Sequence, residues 1–115
     1  MRKTCIPCNS KTPKLNKIEI STLLEETPEY ELIEIDNIQC LSKTYKFKTY
    51  KKALAFTNAL AMIAEEENHH PQIILEWGQV KVTWWTHAIS GLDTNDFVMA
   101  DKTEKLLSTL KNKSI

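Results

Sequence analysis

All three histidines of the chain fall within nineteen residues, as the adjacent pair His69-His70, followed at once by Pro71, and then His87. Imidazole is the side chain whose ordinary pKa, near ~6.5, lets it take or deliver a proton at cellular pH. Carboxylates flank the set, with Glu65-Glu66-Glu67 before it and Asp96 after it. Rings and carboxylates in this pattern suit general acid–base chemistry. Zinc is a rival, since three imidazoles can hold it with one open position. However, His69-His70 lacks the i, i+4 spacing that sets two rings on one helical face. The plain alternative is that the rings only pack. The chain has just two glycines, Gly78 and Gly91, so it contains no glycine-rich phosphate loop. It also shows no Ser/His/Asp pattern and no cysteine close to a histidine in sequence. Nucleotide-dependent and covalent mechanisms are thereby disfavoured, leaving proton transfer on a small, flat, neutral ligand. Trp77, Trp84 and Trp85 read first as packing residues, although an aromatic ring beside His87 can also stack on a heterocycle.

Such rings converge only if secondary structure brings them together. The most secure element is a helix from Tyr50 to about Glu67, capped by Thr49, with Phe56, Ala59, Leu60 and Ile63 forming one apolar stripe. Pro71 biases His70 away from helical geometry, so this helix ends at or before the histidine pair. Because neighbours in an extended segment point to opposite sides, His69 and His70 need not face one ligand together. Ile73 to Trp77 then reads as a strand, Gly78-Gln79 as a turn, and Val80 to Ala88 as a further strand. Alternation along that strand puts Val80, Val82, Trp84 and Thr86 on one face, and Lys81, Thr83, Trp85 and His87 on the more polar one.

Upstream, Ser21 signals the start of a short helix that Pro28 stops. Glu31 to Ile35 and Ile38 to Phe47 form a hairpin around the turn Asp36-Asn37. Downstream, Asp93 is the expected N-cap of a last helix, with Asp96 as the third-position carboxylate of a capping-box-like pair. Phe97, Ala100, Leu107 and Leu110 mark its buried stripe. The order is helix, two strands, helix, two strands, helix. Hairpins with segregated helices predict an α+β, two-layer sandwich: a four-stranded antiparallel sheet with three helices on one face.

At 115 residues the chain fits one core, with 42% apolar and 26% charged residues in the ordinary globular range. Fifteen basic residues balance fifteen acidic ones, so no net field draws the chain to nucleic acid or an anionic membrane. No stretch approaches the roughly eighteen apolar residues of a membrane span, and no signal-peptide run follows the first residues. The expectation is a soluble, cytoplasmic protein whose three cysteines, an odd number, stay reduced. Residues 1–17 read as a loose N-terminal arm, and residues 18–115 as a single domain. Within the arm Cys5-Ile6-Pro7-Cys8 has the spacing of half a zinc site, although two unpaired thiols are the plainer interpretation.

The run Glu65-Glu66-Glu67-Asn68-His69-His70-Pro71, then Trp77, Thr86-His87, Gly91-Leu92 and Asp96, resembles the pterin-4a-carbinolamine dehydratases. The segments Tyr45 to Tyr50 and Val82 to His87 are similar as well, and the resemblance extends over nearly the whole chain from Ser21. It implies an enzyme needing neither metal nor cofactor that removes water from 4a-hydroxytetrahydropterin to give quinonoid dihydropterin, as part of tetrahydrobiopterin recycling. By position it implies catalytic roles for His69, His70 and His87, with His69 and His87 as the main proton-transfer pair and His70 as helper. Which ring is acid and which is base stays open. Asn68, Trp85, Thr86 and Ala88 would hold the pterin's edges, Glu65 and Asp96 would position rings or ligand, and Pro71 would shape the turn. Homodimers or homotetramers and a link to an aromatic amino-acid hydroxylase follow from the same resemblance. The alternative is a non-catalytic interaction module that stabilises a partner's dimer. One position departs from the family, Tyr30, where relatives often carry tryptophan just before the first strand.

Overall fold

A computed structural model describes residues 4–112. The chain runs α1 (Lys17–Glu26), β1 (Glu31–Ile35), β2 (Ile38–Lys46), α2 (Tyr50–Glu67), β3 (Gln72–Glu76), β4 (Gln79–Trp84), a single 3-10 turn (His87–Ile89) and α3 (Thr94–Asn112). The four strands form one antiparallel sheet in the order β1-β2-β4-β3. This is the expected α-β-β-α-β-β-α sandwich. Asp36 and Asn37 both take positive φ, the backbone that a two-residue hairpin loop requires, and so fix the register Ile35 opposite Ile38. Leu41, Tyr45, Val80, Val82 and Trp84 alternate onto the covered face of β2 and β4, where Phe56 and Leu60 of α2 and Phe97 and Ala100 of α3 join them in the core.

α1 starts earlier than Ser21 predicts. Asn16 Oδ1 accepts from Glu19 N at 2.9 Å while Glu19 Oε1 accepts from Asn16 N at 3.0 Å, a complete capping box that leaves Ser21 inside the helix. Burial of Ile20 favours the same start. β4 ends earlier than expected, at Trp84 and not Ala88. Its neighbour β3 begins at Gln72, immediately after Pro71, which has no N–H to extend the ladder. Beyond Trp84 the chain closes on itself. Thr86 N donates to Gly91 O at 2.8 Å, and the 3-10 turn lies between. His87 sits on that turn, not on the polar face of a strand.

The stretch expected to be a loose arm has backbone bonds to the domain. Cys5 N donates to Glu67 Oε1 at 2.8 Å, Ile6 N to Asn95 Oδ1 at 2.8 Å, and Leu15 N to Leu92 O at 3.0 Å. Among the described residues, no helix is long and apolar enough to cross a membrane.

Candidate active site

Two helix ends build the site. At the C-terminus of α2, Asn68 takes a left-handed conformation (φ 51°, ψ 43°), and its N–H returns to Ala64 O and Glu65 O. His69 N also reaches Ala64 O, at 3.1 Å. Asparagine tolerates this backbone better than most side chains, so the helix stops here without a glycine. The chain then reverses into the extended segment before β3 and splits the histidine pair. His69 turns inward and is 8% exposed, whereas the His70 side chain is half exposed.

At the N-terminus of α3, Asp93 caps by accepting from Asn95 N at 3.0 Å, and Asp96 Oδ2 accepts from Asp93 N at 3.0 Å. The capping-box carboxylate thus sits where the sequence places it. It does more than cap. Asp96 is fully buried, Oδ2 also accepts from Thr86 Oγ1 at 2.7 Å, and Oδ1 lies 2.6 Å from His69 Nε2. Buried carboxylates require such partners. A carboxylate oxygen only accepts, so Nε2 of His69 carries the hydrogen and Nδ1 is left as the basic nitrogen of the neutral ring. Trp84 backs the imidazole, with ring centroids 5.9 Å apart and planes 17° from parallel.

The 3-10 turn brings the third ring to the same place. His87 Nε2 lies 3.2 Å from the backbone oxygen of His70, which again assigns the hydrogen to Nε2. Trp85 stacks on the His87 ring at 4.7 Å. His70 Nε2 is 3.5 Å from Glu65 Oε1, an exposed pair in which the carboxylate contributes little.

A cavity of about 270 Å³ opens between these elements. His69, His70 and His87 line it, together with Asn68, Thr86 and Ala88. Asp96 stands behind His69 and outside the lining, Trp85 supports His87, Pro71 leads into β3, and Glu65 lies at the surface beside His70. The lining also includes residues that the sequence did not assign to this site: Glu67, Asn95 and the segment Cys5 to Cys8. The Cys5/Cys8 spacing was visible but pointed to metal, and a single asparagine in a helix's first turn carries no signal at all. Among the described residues, no three His, Cys, Asp or Glu side chains are grouped so as to hold a metal ion. Tyr30 is not at this cavity. It is a core residue, 5% exposed, with its hydroxyl 2.7 Å from that of Tyr45.

The chain is 48% identical over 105 residues to a Saccharophagus degradans protein named for pterin-4-alpha-carbinolamine dehydratase, an alignment covering 91% of this chain and 93% of that one. Among solved structures it resembles one described as a transcriptional coactivator/pterin dehydratase from Brucella melitensis. That likeness has a TM-score of 0.74 and 26% identity, over 82% of this chain and 98% of the other. A second similar structure is a pterin dehydratase-like protein identified as a RuBisCO assembly factor in the alpha-carboxysome, with a TM-score of 0.56 and 27% identity, over 66% and 88% of the two chains. The model of the pterin 4 alpha carbinolamine dehydratases matches residues 13–106. With that match spanning both helix ends and all three histidines, the chain belongs to the pterin 4 alpha carbinolamine dehydratase family.

Proposed function

We propose that the histidine cavity dehydrates 4a-hydroxytetrahydropterin to quinonoid dihydropterin by general acid–base catalysis, with no metal and no cofactor taking part. The C4a–O bond breaks, the departing hydroxyl takes up a proton, and a ring N–H gives one up. One water leaves and nothing is oxidised or reduced. A base and an acid must therefore flank the ring system, and His69 and His87 are the main pair. His69 acts as the base through Nδ1. Asp96 fixes its tautomer through Nε2 and faces the positive charge that develops when the ring takes a proton. His87 in its doubly protonated form delivers a proton to the leaving hydroxyl while its Nε2–H stays on the His70 carbonyl. His70 assists beside them, and the backbone from Asn68 and from Trp85 to Ala88 receives the pterin's edges.

The observation that carries this reading is the buried pairing of His69 with Asp96 in the wall of a cavity that also contains the other two rings. Family membership supports the substrate. Action in the cytoplasm, assembly as a homodimer or homotetramer, and service to an aromatic amino-acid hydroxylase belong to the same proposal. Stopped-flow dehydration of synthetic 4a-hydroxytetrahydropterin tests it. Acceleration over the spontaneous rate is expected for the intact chain. An unaccelerated reaction, with no pterin binding, would leave the interaction-module reading in its place.

A further inference from the structure

The cavity's twelve lining residues divide into two groups. One is the histidine side already described. The other comprises Cys5, Ile6, Pro7, Cys8, Glu67 and Asn95. Four of those six come from a segment ahead of residue 13, where the match to the family model begins. The family pattern thus accounts for the reacting side and leaves most of the remaining wall to a segment outside it.

That wall is fastened at two points. Asn95, 2% exposed, uses its whole amide on one peptide segment: Oδ1 accepts from Ile6 N at 2.8 Å and Nδ2 donates to Ile6 O at 2.6 Å. Both backbone groups of one residue are then fixed together, as in a strand pair. Glu67 Oε1 adds the bond to Cys5 N. Farther along, Leu15 N is bonded to Leu92 O, and the aliphatic stem of Lys14 crosses Gly91 so closely that a Cβ there would lie 2.9 Å from Lys14 Cδ.

We infer that Cys5–Cys8, held by Asn95, is a specificity-determining wall that admits pterins with a compact ring substituent and turns away bulky ones. This inference rests on the dehydratase reading. The histidines claim the reacting edge, so the remaining wall meets the part of the ligand that does not react. Ile6 and Pro7 give that wall an apolar, inflexible outline. At about 270 Å³ the cavity is small for a ligand site, for which roughly 300–1,000 Å³ is usual, so displacing the segment changes what fits. Asn95 is a positioning residue in this scheme.

The test compares 6-methyl and 6-phenyl 4a-hydroxytetrahydropterin on the full chain, on a chain starting at residue 9, and on Asn95→Ala. The full chain should favour the methyl compound in kcat/KM by about tenfold or more, a discrimination of the size that apolar pocket contacts give. In either variant the preference should fall below about threefold, through a lower KM for the phenyl compound. Asn95→Ala keeps the comparison available should the shortened chain not fold. Dissociation constants for 6-methylpterin and 6-phenylpterin, read by quenching of tryptophan fluorescence, repeat the comparison without turnover. Equal affinities in the full chain, or a preference unchanged in a folded variant, would overturn the inference. A binding preference that disappears in Asn95→Ala, with no turnover of either compound, would uphold the wall and overturn the dehydratase reading alone.

Discussion

Asp96 Oδ1 and His69 Nε2 lie 2.6 Å apart in a buried pair, and the same carboxylate closes the N-terminus of α3 through Asp93 N. One side chain therefore couples the start of a helix to the tautomer of a candidate base. Asp96→Asn separates the two roles. Thr86 Oγ1 and Asp93 N both donate to Oδ2, so the amide oxygen of an asparagine is drawn to that side and its NH2 turns toward His69. The ring must then accept at Nε2 and hold its hydrogen on Nδ1. We expect kcat to fall by roughly 10²- to 10⁴-fold, with a stability change of less than about 1 kcal/mol because the cap bond survives. Stopped-flow rates and urea unfolding check the two halves, and full activity in Asp96→Asn would remove the tautomer argument.

The three rings should not be equivalent. His69→Ala and His87→Ala should each slow dehydration by roughly ten- to ten-thousand-fold, the range for losing general acid–base help. His87→Ala also deletes the contact to the His70 carbonyl and the stack on Trp85, so KM should rise along with the fall in kcat. His70→Ala, at a half-exposed ring beside an exposed Glu65, should cost less than about tenfold. Wild-type rates in folded His69→Ala and His87→Ala protein would exclude both rings from the chemistry.

Thr86→Val keeps the shape of the side chain and removes the hydroxyl that holds Asp96 Oδ2. A buried carboxylate then loses one of its three partners, at a cost of about 1–3 kcal/mol in stability. Since Asn-like reorientation is not forced, the catalytic loss should stay within about tenfold, smaller than for Asp96→Asn. A thermal melt beside the rate measurement separates the effects, and a larger kinetic loss than that of Asp96→Asn would mean that Thr86 touches the substrate itself.

Legibility in the sequence followed the range over which each signal acts. Thr49, Pro71, Asp93 and Asp96 are local punctuation, and the predicted bounds of α2 and start of α3 came from them. The inward turn of His69 was open from sequence because it depends on Asn68 adopting left-handed backbone, which asparagine permits without demanding. The end of β4 was hidden, since Trp85, Thr86 and Ala88 continue a credible strand pattern and nothing local announces the pairing of Thr86 with Gly91 that takes over beyond Trp84. The arm was hidden most completely. Its bonds reach residues 62 and 89 positions away, and polar composition there imitates a free segment.

Tyr30 and Tyr45 supply a prediction independent of catalysis. Their hydroxyls are 2.7 Å apart in the core, Tyr45 donates to Glu104 Oε2, and Lys43 Nζ holds the same carboxylate at 2.9 Å. Burial pushes the Tyr30 phenol up from 10.0 to about 12, and burial with the neighbouring Tyr30 and Glu104 pushes Tyr45 up as well. A raised phenol keeps its proton in the native state where the unfolded chain releases it. The stability it contributes is complete below about pH 10 and is lost as pH rises through about 12. Native protein at about pH 11 should therefore show no phenolate absorbance near 295 nm from these two rings until urea unfolds it. The urea midpoint should drop between about pH 9.5 and pH 11.5, and less steeply in Tyr30→Phe, in which one of the coupled phenols is gone. Lysine ionisation is common to both proteins and cancels in the difference, so equal slopes would show that the Tyr30 proton is not held by the fold.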